Sequence, residues 1–131
     1  MSDQTANKKQ PGEIGWLDLT VSDAVGVRDF YAAVTGWKSM AVSMGDYEDF
    51  RMIPASGTDP VAGIRHARGG NASLPAVWLP YFIVADVDAA VVECRARGGE
   101  VVKEPSGKPE SGRWCVVRDP AGAYAALYQK S

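Results

Sequence analysis

Cysteine, histidine and long apolar runs are all scarce in this 131-residue chain, and each scarcity closes off a class of function. The two cysteines, Cys94 and Cys115, stand apart with no Cys-x-x-Cys spacing. They make neither a metal knuckle nor a secreted disulfide framework, and reduced, partly buried thiols are expected. The one histidine, His66, falls at a strand end and is expected to be exposed. No apolar stretch approaches the ~20 residues of a membrane span, and Met1-Ser2-Asp3-Gln4 lacks the charged-then-apolar order of a signal peptide. With a net charge of −2 and no basic run, a nucleic-acid surface is not expected either. From these absences a cytoplasmic protein with no membrane or nucleic-acid partner is expected. Also missing in convincing context are a Gly-rich phosphate loop, a Ser-His-Asp set and paired catalytic carboxylates.

What is present is a concealed duplication. Val21, Asp23 and Gly36 recur 63 positions later as Val84, Asp86 and Gly99. Around them, Ile14-Gly15-Trp16-Leu17-Asp18-Leu19-Thr20-Val21 is echoed by Leu79-Pro80-Tyr81-Phe82-Ile83-Val84, and each run leads into a helical pattern that ends at glycine. Two copies of one small unit bury a joint core, and the seam between copies is the natural place for a ligand. A chain of this length fits one domain, which buries roughly two thirds of its unfolded surface.

Periodicity supplies the elements. In the first strand Leu17, Leu19 and Val21 share one face, and Trp16, Asp18 and Thr20 share the other. Ser22 is the expected N-cap of a helix in which Val27, Phe30, Tyr31 and Val34 recur until Gly36. Strands are expected at 38–44, 47–53 and 60–66. The second half repeats the order, with a strand at 77–84, a helix capped by Asp86, and strands at 100–103, 113–118 and 123–129. The turn Asp119-Pro120-Ala121-Gly122 separates the last two, because proline presets φ and glycine accepts the tight geometry. The expected fold is α+β: two βαβββ modules whose curved mixed sheets form a cup with helices on the outside. A disordered tail over 1–12 precedes one domain at 13–130, divided into module one at 13–66, a linker at 67–75 and module two at 76–130. Leu17, Leu19, Val21, Phe30, Phe82, Val84, Val91 and Leu127 are the expected core between sheet and helices.

The strand ending in Val-x-Asp, the helix carrying Phe30-Tyr31 and ending at Gly36, Trp37, Gly112-Arg113 and the late Asp-Pro-x-Gly turn together resemble the vicinal oxygen chelate superfamily. That superfamily includes glyoxalase I, extradiol dioxygenases, fosfomycin-resistance enzymes and bleomycin-resistance proteins, and the resemblance covers about residues 13 to 129. It implies a divalent ion held by His, Glu or Gln from the first and last strands of each module. The matching positions here are Trp16, Gly63, Leu79 and Ala126. None offers an oxygen or nitrogen donor of the kind such an ion needs. The resemblance therefore implies the scaffold without its usual metal, and no other cofactor is expected.

The residues left for the cup are Asp18 as a tentative catalytic group and Trp16, Thr20, Arg65, Leu79, Tyr81, Tyr124 and Tyr128 as ligand-binding groups. An aromatic surface with one carboxylate and one guanidinium suits a small, flat or partly apolar organic partner with a few polar anchors. Asp18 in this pattern needs either water or partners: pairing with Arg65 or a hydroxyl bond from Thr20 or a tyrosine is open, and so is a direct role in accepting a proton or binding a cation. Arg113 and Trp114 have opposite parity, and only one of them can face inward. Two functions fit: a binding module for a small organic ligand without a metal, or a metal-independent lyase or isomerase in which Asp18 or a tyrosine moves a proton. A homodimer is compatible with either, since the modules can close within one chain or across two.

Trp16, Gly63, Leu79 and Ala126 at the four family positions predict that purified protein carries no stoichiometric divalent metal. Elemental analysis finding about one Zn, Fe, Mn or Ni per chain, lost on substitution at these strands, would overturn that expectation.

Overall fold

The computed structural model describes residues 9–131. Its order is β1 (Ile14–Val21), α1 (Ala24–Thr35), β2 (Lys38–Ser43), β3 (Glu48–Ile53), β4 (Ala62–His66), a short 3-10 turn at Gly69–Asn71, β5 (Trp78–Ile83), α2 (Val87–Ala96), β6 (Glu100–Lys108), β7 (Gly112–Arg118) and β8 (Tyr124–Gln129). The fold is α+β with the βαβββ order used twice. The chain forms two compact units, Leu17–Trp78 and Leu79–Ser131, the latter joined by the segment that ends at Trp16. Residues 1–8 of the expected tail lie outside the described residues. Beyond them the backbone is held: the Gly12 N–H donates to the Ile83 carbonyl, and the Ile83 N–H donates to that of Glu13.

In the first unit the strand order is β2-β3-β4-β1. β1 runs parallel to β4, while β3 is antiparallel to both of its neighbours. α1 lies on the face carrying Phe50, Met52 and Ile64, with Ala24 as its most buried residue and Val21, Val27, Tyr31, Trp37 and Trp78 packed around them. Tyr31 ties this cluster together. Its hydroxyl accepts a 3.0 Å hydrogen bond from the Trp78 indole N–H, so an aromatic edge with a polar tip is buried at no loss of hydrogen bonding. The Arg28 guanidinium lies 4.6 Å from the centroid of the Phe50 ring, adding a cation over the same layer.

In the second unit the order is β5-β8-β7-β6, with β5 parallel to β8 and the other pairs antiparallel. α2 covers Val87, Val91, Cys115 and Val117, with Val84, Cys94, Val101 and Leu127 around them. Both cysteines are free thiols, and desolvation pushes the buried Cys115 up to about 11. Arg113 grips Asp88 of α2 through two 2.9 Å hydrogen bonds, which lowers the Asp88 pKa and raises that of Arg113. Arg113 is thereby placed on the helix side, and Trp114 takes the opposite face.

The duplication survives at the level of strand register. Asp18 pairs with Gly63 and Thr20 with Arg65 in the first unit. Their counterparts Tyr81 with Ala126 and Ile83 with Tyr128 pair the same way in the second. Four expectations need correction. The N-cap of α1 is Asp23, whose carboxylate accepts from the Gly26 N–H at 3.0 Å, and not Ser22. It is the repeat partner of Asp86, which caps α2 by accepting from Asp88 and Ala89. Phe30 is 57% exposed because α1 turns its Ala24-Val27-Tyr31 stripe inward, leaving Phe30 and Val34 outside. Phe82 has the expected parity but stays 37% exposed. β6 is also longer than expected, since register shifts between Val101 and Lys103 and between Lys103 and Ser106 let it pass Pro105 without losing β7.

These burials predict a contrast. Leu19→Ala, at 5% exposure, should cost about 2 to 5 kcal/mol in a denaturant titration, whereas Phe30→Ala should cost less than about 1 kcal/mol. Equal losses would contradict the orientation of α1.

Candidate functional site

The sheet face away from α1 is charged. Asp18 and Thr20 point there from β1 at 5% and 3% exposure, and the register sets Gly63 and Arg65 beside them. Arg65 Nη1 lies 3.4 Å from Asp18 Oδ2, and its Nε lies 3.8 Å from Asp49 Oδ2. One guanidinium thus serves two buried carboxylates. Asp49 is further held by the His66 backbone N–H at 2.9 Å, with the His66 ring Nδ1 3.4 Å from the same oxygen. His66 is therefore half-buried, its ring edge-on to Tyr47 at 5.5 Å, which corrects the expectation of an exposed strand end. Gly63 has Asp18 on one side and Arg51 on the other in register, so the side chains from β1 and β3 flank a position with no side chain of its own.

The face away from α2 is aromatic instead. Tyr81 and Tyr128 occupy the repeat positions of Asp18 and Arg65, at 2% and 3% exposure, and Leu79 and Val116 complete a dry surface. Burial raises the Tyr128 pKa above its ordinary value. Trp114, paired in register with Tyr128, lies 5.7 Å from Tyr81 with its ring tilted by 31°. Lys103 Nζ lies 4.3 Å from the centroid of the Trp114 ring and donates to Ser106 Oγ at 2.9 Å. Tyr124 is half-buried two positions before Ala126, with the Arg118 guanidinium 5.9 Å from the centroid of its ring. Gly112, at φ +107, permits the close approach of Tyr128: a Cβ there would sit 3.0 Å from the phenol oxygen.

The structure thus brings Asp18, Thr20 and Arg65 together in one unit, and Leu79, Tyr81, Tyr124 and Tyr128 together in the other. Trp16 is half-buried near the start of β1. Sequence reading missed Asp49 and Lys103 and left Trp114 undecided. The alternation Asp49-Phe50-Arg51-Met52 does carry the signal for Asp49, since two charges interleave with two core residues. Among the described residues no three His, Cys, Asp or Glu side chains come together to hold a metal ion. Trp16, Gly63, Leu79 and Ala126 supply no donors, so the residues present do not fit the divalent ion of the resembled family.

Comparison with known proteins gives a consistent family. Residues 13–127 match the model of the Glyoxalase/Bleomycin resistance protein/Dioxygenase superfamily. The chain is 32% identical to the anthracycline biosynthesis protein DnrV of Streptomyces peucetius, over 92% of this chain and 48% of that protein. It spans about half the length of the curated relatives it matches. Among solved structures, a Streptomyces coelicolor methylmalonyl-CoA epimerase in complex with 2-nitronate-propionyl-CoA aligns with a TM-score of 0.56 at 17% identity, over 93% of this chain and 99% of that one. A superfamily member from Vibrio splendidus 12B01 also aligns at 0.56 and 17%, over 88% and 97%. At that identity the structural likeness concerns the fold alone.

The ion pairing predicts a stability effect for Asp18. Asp18→Asn keeps the shape but removes the charge facing Arg65, and should destabilise by about 1 to 3 kcal/mol, less than for a fully buried pair because the Arg65 side chain is 27% exposed. An unchanged thermal melt would remove Asp18 from the structural account.

Proposed function

The chain belongs to the glyoxalase/bleomycin resistance protein/dioxygenase superfamily, and we propose that within it this protein binds a small, flat, partly apolar organic molecule without a resident metal. The observation that carries the reading is the aromatic face of the second unit. Trp114 and Tyr124 are half-buried and keep ring surface in reserve, over a dry floor of Tyr81, Tyr128 and Val116. Such a surface rewards a planar ligand through stacking and area burial, and Lys103 beside Trp114 adds a cation for an acidic substituent. The name of the Streptomyces peucetius relative points in the same direction, since anthracyclines are flat polycyclic molecules with polar edges. The donor-free residues at the family's ligand positions support a role without a metal.

The competing reading, a metal-independent lyase or isomerase in which Asp18 or a tyrosine moves a proton, has less support. Asp18 is already engaged by the Arg65 guanidinium 3.4 Å away, a structural pairing that competes with a role in proton transfer. Burial raises the Tyr128 pKa above that of an ordinary phenol, so it is no better as a base. Binding without transformation is the simpler use of these side chains. Homodimerisation and a cytoplasmic location remain part of this proposal. So does the domain division at 13–66 and 76–130.

Calorimetric titration with an anthracycline as a flat polycyclic probe should give saturable binding, and a small aliphatic acid should give none. Trp114→Ala should weaken the anthracycline at least about tenfold while leaving the fold intact by circular dichroism. Absence of saturable binding, or equal affinity in the variant, would refute the aromatic face as the binding surface.

A further inference from the structure

The two terminal strands of the described sheets are protected very differently, and the difference points to a partner. β6 carries the usual defences of an exposed edge: two register shifts against β7, Pro105 within the strand, and Lys103, Glu104 and Lys108 along it. A neighbouring chain cannot pair with so irregular an edge. β2 has neither register shifts nor proline. All six of its residues, Lys38 to Ser43, pair with β3 in unbroken register, so the strand is regular along its whole length. Its only charge is at the first position, it contains no proline, and five of its six residues are exposed. Met40 is 40% exposed, and Met44 just beyond the strand is 42% exposed. An unbulged strand with a single charge at one end, apolar side chains and an outer row of backbone donors and acceptors is a template for another strand.

We infer that β2 pairs antiparallel with β2 of a second copy of this chain, about a two-fold axis at Ala41. The pairing must preserve sheet faces, because directly opposed residues in an antiparallel pair point to the same side. A two-fold at Ala41 satisfies this: Met40 opposes Val42 of the second copy, Ser39 opposes Ser43, and Ala41 opposes itself. Apolar groups meet on the side of Arg51 and Asp49, and small hydroxyls meet on the side of Phe50. Charge selects the same arrangement. A parallel pairing would set Lys38 against Lys38, whereas the antiparallel one sends the two ammonium groups to opposite ends, each across from Met44. The partner is a second copy because this self-complementary pattern closes on itself. The inference is independent of what the protein binds, and rests only on the edge.

Sedimentation equilibrium on the full chain tests it. The unmodified protein should be a dimer at high micromolar concentration. Ala41→Lys and Ala41→Glu each place like charges in contact at the axis, and each alone should weaken dimerisation at least about tenfold. An equimolar mixture of the two variants should restore a dimer that contains one of each, because the opposed charges then attract. Hydrogen exchange on the unmodified protein provides a reading that needs no variant: amides of Lys38 to Ser43 should gain protection as concentration rises. A monomer at all concentrations, a dimer indifferent to both variants, a mixture that fails to restore association, or β2 amides whose exchange ignores concentration would each overturn the inference.

Discussion

Two carboxylates buried on one sheet face need a cation, and the position of the Arg65 guanidinium between Asp18 and Asp49 is the constraint to which the rest of the first unit answers. Removing either acid from water costs several kcal/mol unless the charge is met. The parallel register of β1 and β4 is what meets it, since a shift of one residue would turn Arg65 toward α1 and leave Asp18 facing Ile64. The same slip would send Ile64 out of the core. Packing and charge therefore enforce one register together. Among the described residues no buried side-chain nitrogen or oxygen is left without a hydrogen-bond partner, so the charged face is satisfied as well as closed.

The duplicated unit solves the same geometric problem twice with different chemistry. Where the first copy has Asp18 and Arg65, the second has Tyr81 and Tyr128 at the same register positions. Ion pairing is exchanged for aromatic burial. Both solutions fill the face opposite the helix, and both leave the helix face to aliphatic and aromatic packing. The exchange also separates functions: a charged face is sensitive to loss of one partner, while an aromatic face supplies adaptable contact area. That asymmetry is why the second unit is the better candidate for contact with a flat ligand.

The family scaffold is retained here while its donor atoms are not. An indole, an isobutyl, a methyl and a hydrogen at Trp16, Leu79, Ala126 and Gly63 leave no lone pairs where the resemblance requires them. The scaffold is thus separable from the side chains at these positions. The βαβββ order depends on alternation and glycine stops, which tolerate any inward side chain that packs.

The α+β class, the repeated βαβββ order and the parity of β1, β5 and β8 were determined by the sequence, because apolar alternation and turn residues act locally and leave a legible period. The pairing of Asp23 with Asp86 across the repeat also held the true cap of α1, although the neighbouring serine read as well. Other features belonged to the tertiary structure. Which stripe of α1 turns inward was decided by Tyr31, Trp37 and Trp78 packing as one cluster, and Phe30 lost its place there to residues distant in the chain. Arg113 and Trp114 had equal claims until Asp88 of α2 captured the guanidinium and the indole fell beside Tyr81. Asp49 entered the site only through β3 lying next to β4. Local pattern fixes parity, but a helix's rotation, a side chain's partner and a burial shared between strands are settled only when distant residues compete for the same space.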